Sequence, residues 1–205
     1  MTANGAPPEP PAAVRRLDSE SASTLSDLVE TFEDLQMVLR CCERLVAELA
    51  AEGDPDGVLV EAVWTMALLS YARCFSTGKG DVALTEDDLT GVQPTGDVLE
   101  WHKVLLQLRD HHTDPSANPR ERFTVGVTQD DGGVASGVAI TSARQPLVDD
   151  LTVRQTGAIC YALSGLVNGR IEAQQEKVFA ELKSVSAEDL ERLDPLDVAQ
   201  PATSP

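Results

Sequence analysis

The sequence predicts a mainly α-helical protein, a four-helix bundle with a β-hairpin inserted before a long last helix. Along four long segments the apolar residues recur at intervals of three and four, which is the spacing of one helix face. Before the last of these segments the interval changes to two, the period of a strand. Aromatic residues are only 4% of the chain, so Leu, Val and Ala must build the core, and this composition suits packed helices.

The first two helices are predicted at about residues 24–51 and 58–75. The first carries an apolar stripe from Leu25 to Leu49, and the glycine- and proline-containing run at 52–57 ends it. The second is apolar nearly all round, which is typical of a helix in the middle of a bundle.

The third and fourth helices are predicted at about residues 96–112 and 148–183. A proline-containing run that begins at Asp114 breaks the third helix. At ~1.5 Å per residue the fourth helix would span roughly 45 Å, which is long for a domain of this size. Its second half, from Arg170, is highly charged, and it either projects or pairs with a second copy.

A β-hairpin is predicted at about residues 122–141. Apolar and polar residues alternate from Phe123 to Thr128 and again from Val134 to Ile140, and Gly132 and Gly133 lie between the two runs. Because an isolated hairpin is only marginally stable in water, we expect its apolar side to lie on the helices.

The domain organisation that follows is one helical domain between two tails. Residues 1–20 are polar and proline-rich and are expected to be a disordered tail. Residues 21–183 form the helical domain. Residues 184–205 form an acidic tail, in which a short helix is expected to begin after Ser186.

Charge and cysteine usage exclude several classes of partner. A formal net charge of −18 repels nucleic acid and anionic membranes at long range, and neither a DNA-binding motif nor a basic face is present. We therefore expect no DNA and no membrane partner, and RNA only through a local site. No apolar run approaches the ~20 residues of a membrane span. The four cysteines match neither a disulfide framework nor a zinc spacing, which favours the reducing cytoplasm.

The third helix holds the candidate site, because it contains all three histidines of the chain. Helical spacing places His102, Leu105, Arg109 and His112 on one stripe. Arg109 and His112 are three residues apart and can face the same anion, where arginine binds phosphate and histidine transfers protons. This pair would support metal-independent RNA cleavage. The alternative is a plain helix end, where basic side chains favour the helix dipole.

Metal and nucleotide sites are weaker alternatives. His102, Asp110, His111, His112 and Asp114 offer nitrogen and oxygen ligands, but none of the usual histidine pairs shares one helical turn. Gly78-Lys79-Gly80 lacks the first glycine and the Ser or Thr of a phosphate-binding loop and follows a helix rather than a strand. We therefore expect no metal and no cofactor.

The predicted layout is a helix pair, a third helix that ends in Arg-Asp-x-His at residues 109–112, a break and a long closing helix. In this layout and motif the chain resembles the HEPN superfamily of helical bundles. Arg109-Asp110-His111-His112 matches the start of the Arg-Asp-Lys-His-x-Ala-His run of certain bacterial members, and the run at 70–75 is also similar to those members. The alanine and last histidine of that run would fall at Asp114 and Pro115 and are absent.

This resemblance implies a helical fold and a metal-independent ribonuclease site that two subunits assemble at a dimer interface. Arg109 and Asp110 carry over from the family pattern, whereas the catalytic histidine does not, because His111 and His112 lie too close to the arginine. Superfamily members with damaged motifs act as partners or regulators. The expected function is therefore a non-catalytic protein-interaction or regulatory module. Its expected partner is a protein, either a second copy of the chain bound through the long helices or a different protein.

Two further functions stay open. One is a toxin-like, metal-independent endoribonuclease in which Arg109 and His112 are catalytic and Asp110 assists. The other is a small-ligand or nucleotide-binding module at the same polar face, with His102, Arg109 and His111 as binding residues.

Overall fold

The computed structural model describes residues 13–92, 96–116 and 118–196. Most of the predicted N-terminal tail and the end of the predicted C-terminal tail therefore lie outside the described residues. Residues 13–19 form an extended segment, in which Arg15 pairs with Pro195 as an isolated antiparallel bridge. The N–H of Leu196 donates to the carbonyl of Val14 over 2.9 Å, so the two ends of the described chain lie side by side.

The protein is mainly helical, with a two-stranded antiparallel hairpin before the long last helix, as the spacing of apolar residues predicts. The elements in chain order are α1 (Glu20–Leu49), α2 (Gly57–Cys74), α3 (Glu86–Gly91), α4 (Val98–Thr113), β1 (Glu121–Gln129), β2 (Ala135–Arg144), α5 (Asp150–Leu182) and α6 (Ala187–Glu191).

The helices begin at residues whose side chains satisfy otherwise unpaired backbone N–H groups. The carboxylate of Asp56 accepts from Val58 and Leu59 at the start of α2. Thr85 and Asp88 form a reciprocal capping box at the start of α3. Local sequence therefore fixes where the helices start.

Helix α1 lies between α2 and α5 and runs antiparallel to both. Towards α2, Arg73 Nη2 donates to Asp34 Oδ1 over 2.6 Å, and towards α5, Gln36 Nε2 donates to Ser164 Oγ over 3.3 Å. Helix α4 packs on the outer side of α2. The fully buried core side chains come from all of these helices and from α3: Leu35, Val38, Leu45, Val60, Leu68, Tyr71, Leu89, Leu105, Val153, Leu163 and Val167.

The second half of α5 packs along α1 and does not project. Gln174 Nε2 donates to the carbonyl of Ser21 over 2.8 Å, and Arg170 bonds to Asp88 of α3. Ile171 and Val178 are buried. The charged half of the last helix therefore pairs within the chain.

The expectation that no apolar run approaches the length of a membrane span does not hold for α2. It is 18 residues long with a mean hydropathy of 1.2, so it meets the length and composition of a short membrane span. Within the protein 44% of it is buried, against α1 and α4. A central core helix satisfies the same criterion, and this packing is the one that its all-round apolar character predicts.

The hairpin is longer than predicted, but its register agrees with the alternation of the sequence. Phe123 pairs with Ser142, Val125 with Ile140, and Val127 with Val138. The turn lies at the predicted glycine pair, where Gly133 adopts a φ of 80° that other residues rarely adopt.

The expectation that the apolar side of the hairpin lies on the helices is wrong. One side carries five large apolar side chains that are 57–75% exposed; we call this set the apolar hairpin face, and it consists of Phe123, Val125, Val127, Val138 and Ile140. The physical reason is that the helices already cover one another's apolar stripes. The strands extend beyond them from two short proline-containing connections.

Candidate functional site

The candidate site lies at the C-terminal end of α4. Asp97 caps the start of this helix, where its carboxylate accepts from the N–H of Glu100, and the helix ends at Thr113, before Pro115. Its inner positions His102 and Leu105 are buried, while its last turn carries His111 and His112.

His102 lies in the core. Its side chain is 5% exposed, its Nδ1 lies 2.9 Å from Tyr71 Oη, and its ring centroid lies 4.4 Å from that of Phe75. Burial lowers the pKa of His102, and it raises the pKa of Tyr71. A neutral imidazole and a neutral phenol therefore share one buried hydrogen bond. His102 and Leu105 lie on one side of α4, as helical spacing predicts, but that side faces the core and not the solvent.

Arg109 is held by its own neighbour. Its Nε donates to Asp110 Oδ1 over 2.7 Å, and its side chain is 33% exposed. The hydroxyl of Thr113 donates to the carbonyl of Arg109 over 3.0 Å. These are the contacts of a capped helix end, and they direct the guanidinium towards Asp110.

His112 and His111 face a different space, a cleft of about 690 Å³. The cleft lies between the start of α2, the end of α4, the base of the hairpin and the start of α5. Apolar side chains form part of its lining: Val60, Trp64, Leu108, Leu147 and Val148. Polar side chains form another part: Asp56, Glu61, His111, His112, Arg120, Glu121, Arg144, Gln145, Asp149 and Thr152. Arg109 is not among the residues that line this cleft.

The lining of the cleft is net acidic, with four carboxylates against two arginines. Arg120 Nε lies 2.7 Å from Glu61 Oε1 and ties the hairpin base to α2. Burial lowers the pKa of His112, the charge of Glu61 opposes this effect, and His111 and Arg120 add to it. His112 is therefore neutral near neutral pH, and it could accept a proton from a bound group.

The cleft has the size and the mixed lining of small-molecule sites. The alternative function, a module that binds a small ligand, stays a prediction. This cleft is where such a ligand would bind. Sequence reasoning did not find Glu61, Trp64, Arg120 and Arg144, because they come from three separate segments that only the folded chain brings together.

Other candidates from the sequence have structural explanations. Lys79 follows α2 in a short 3₁₀ segment, and its Nζ lies 3.7 Å from Asp34 and 3.9 Å from Glu30. All four cysteines are buried and unbridged, and burial raises the pKa of Cys42 and of Cys74 to about 12. In the described part of the chain, no group of three or more His, Cys, Asp and Glu side chains is placed to hold a metal ion.

The buried imidazole gives a testable pH dependence. In the folded protein the pKa of His102 is lowered, whereas the unfolded chain takes up a proton at the ordinary value of ~6.5. Below that pH the unfolded state therefore binds more protons, and the free energy of unfolding falls. We expect His102→Asn to lose less stability than the wild type between about pH 7.5 and pH 5.5 in urea denaturation.

The matched control for this prediction is Gln107→Asn, a substitution of an exposed residue on the same helix by one that, like it, does not titrate. It should keep the pH dependence of the wild type. Equal slopes for the wild type and His102→Asn would contradict the prediction.

Comparison with known proteins gives no match: no family model, no curated protein sequence and no solved structure is similar to the chain. The functional argument therefore depends on the residues and their geometry.

Proposed function

We propose that this chain is a non-catalytic, HEPN-like interaction module of the bacterial cytoplasm. In this proposal α1, α2, α4 and α5 form a four-helix bundle, and the hairpin is the surface that contacts the partner. The observation that carries the proposal is the apolar hairpin face, whose five large side chains are 57–75% exposed. A contiguous apolar patch of this kind is comparable to the largest patch on a typical monomer, and such patches are often functional.

The geometry at the end of α4 supports the non-catalytic part of the proposal. Arg109 pairs with Asp110 over 2.7 Å, while His112 lines a cleft to which Arg109 does not contribute. A phosphate bound by both would require Arg109 to leave its carboxylate partner. His102 is buried against Tyr71 and has no access to an RNA backbone.

The four free cysteines support a reducing compartment. Cys41, Cys42, Cys74 and Cys160 are all buried as thiols. Burial is the largest cause that raises their pKa values, so they remain protonated and unreactive. Disulfide-free buried cysteines are the usual condition of cytosolic proteins.

The test of the proposal is an RNA cleavage assay in EDTA with labelled total RNA. We expect no cleavage by the wild type and none by Arg109→Ala, because Arg109 is engaged by Asp110 and the family's last histidine is absent. Arg154→Ala serves as the control, since Arg154 forms the same kind of exposed pair with Asp150 on another helix. Cleavage by the wild type and Arg154→Ala but not by folded Arg109→Ala would overturn the proposal and favour the endoribonuclease.

A further inference from the structure

Within the residues that the structure describes, nothing covers the apolar hairpin face. It alternates strictly with the opposite side of the sheet, which carries Thr124, Thr128, Ala139, Thr141 and Ala143. That opposite side is suited to water, whereas the apolar hairpin face is not. The face therefore needs an occupant, and its charge and area indicate which one.

The hairpin is uncharged over most of its length. Residues 123–129 and 134–143 contain no Asp, Glu, Lys or Arg, in a chain of net charge −18. Two copies of such an acidic chain repel each other over most of their surfaces. The apolar hairpin face is a surface on which they can meet without bringing carboxylates together.

The remaining charges of the hairpin lie at opposite ends. Asp130 and Asp131 lie at the tip; Arg144 and its cross-strand partner Glu121 lie at the base on the apolar side, and Arg122 lies at the base on the opposite side. Within the described residues, Asp131 and Arg144 make no ion pair in the single chain, and Asp130 accepts turn N–H groups. A two-fold axis in the plane between the two sheets and perpendicular to the strands would place each acidic tip over Arg144 of the other copy.

The area of the face is sufficient for a weak dimer. Side chains of this size offer about 100–200 Å² each, so the exposed fractions leave roughly 500 Å² of apolar surface per chain. Two copies face to face would bury roughly 1,000 Å² in all, the lower end of what a specific interface requires. The distance between the two sheets would be ~10 Å, as in other packed sheets.

We infer that the chain forms a two-fold symmetric homodimer in which two hairpins pack through their apolar faces, with each tip against the partner's base. This inference rests on the proposed function, because it names the partner of the interaction module as a second copy. The interface differs from one through the long helices, since α5 buries its apolar stripe on α1.

The experiment is sedimentation-velocity ultracentrifugation of the full chain over a concentration series. We expect the wild type to dimerise with a Kd in the micromolar range. Val125→Asp and Ile140→Asp, at a directly paired position of the face, should raise that Kd by about tenfold or more, since each buries an unpaired carboxylate. Thr124→Asp, on the opposite side of the same strand, should leave the Kd unchanged.

A charge exchange tests the two-fold arrangement without touching the apolar side chains. Asp131→Arg alone removes the net negative charge of the tip and brings a second cation towards Arg144 of the other copy. Arg144→Glu alone places a carboxylate opposite the acidic tip. Each variant should therefore dimerise poorly. An equimolar mixture should restore the dimer. Far-UV circular dichroism confirms that every variant is folded.

Three outcomes would overturn the inference: a monomeric wild type, a Val125→Asp dimer of wild-type affinity, or a Thr124→Asp variant as weak as Val125→Asp. None of these outcomes depends on RNA cleavage, so the failure of the dimer is distinguishable from the failure of the non-catalytic assignment. A monomer would leave the interaction module in need of a different protein partner.

Discussion

Leu163→Ala is expected to lower the free energy of unfolding by about 2–5 kcal/mol, the range for large-to-small changes in packed cores. Leu163 is 0% exposed and lies on the side of α5 that packs on α1. Its truncation removes apolar contacts and leaves a cavity between two long helices that cannot easily close. Equilibrium urea denaturation measures the effect at a fixed protein concentration, because dimerisation would add a concentration-dependent term.

Tyr161→Ala is the matched control for this substitution. Tyr161 lies two residues earlier on the same helix and is 75% exposed. Its replacement should change stability by no more than about 0.5 kcal/mol, as is usual for surface positions. Similar losses for the two variants would show that α5 does not pack on α1 through Leu163.

Asp88→Ala is expected to lower the free energy of unfolding by about 2 kcal/mol, because one carboxylate takes part in both a capping box and an ion pair. Its Oδ2 accepts from the N–H and hydroxyl of Thr85 in the capping box of α3, and its Oδ1 accepts from Arg170 of α5. The Asp88 side chain is 12% exposed, so its bonds are partly shielded from water. Thermal or urea unfolding measures the loss.

Asp87→Ala is the control, since Asp87 is an exposed acid in the same first turn of α3. It should be nearly neutral. A double-mutant cycle with Arg170→Ala should give a coupling of about 1 kcal/mol between Asp88 and Arg170. Additive losses in that cycle would mean that the ion pair contributes nothing beyond the capping box.

The helices and the hairpin turn could be predicted because their signals are local. Asp56 caps α2 through its own neighbours, and Thr85 and Asp88 form their capping box three residues apart. The glycine pair at 132–133 marks the turn in the sequence as it does in the structure. Period and capping are properties of short segments, and they persist in the folded chain.

The position of the hairpin and the cleft could not be predicted, because both depend on how distant segments meet. Alternation places Phe123 and Val125 on one side of a sheet, but it does not tell what covers that side. Arg120 and Glu61 are separated by most of α2, α3 and α4 and yet form a 2.7 Å pair. Likewise, helical spacing aligned Arg109 with His112, but the ion pair with Asp110 directs the arginine elsewhere.

The double packing of α1 has a consequence for the synthesis of the chain. One side of α1 meets α2 directly after it is made, but the side at Cys42 approaches Gly157 of α5, and residues 50–149 intervene. A nascent chain that ends before residue 150 therefore carries an uncovered apolar stripe along its first helix, which is open to chaperones and to aggregation. The ribosome must deliver α5 before α1 is enclosed, so the packing of α1 is completed late and depends on closing a long loop.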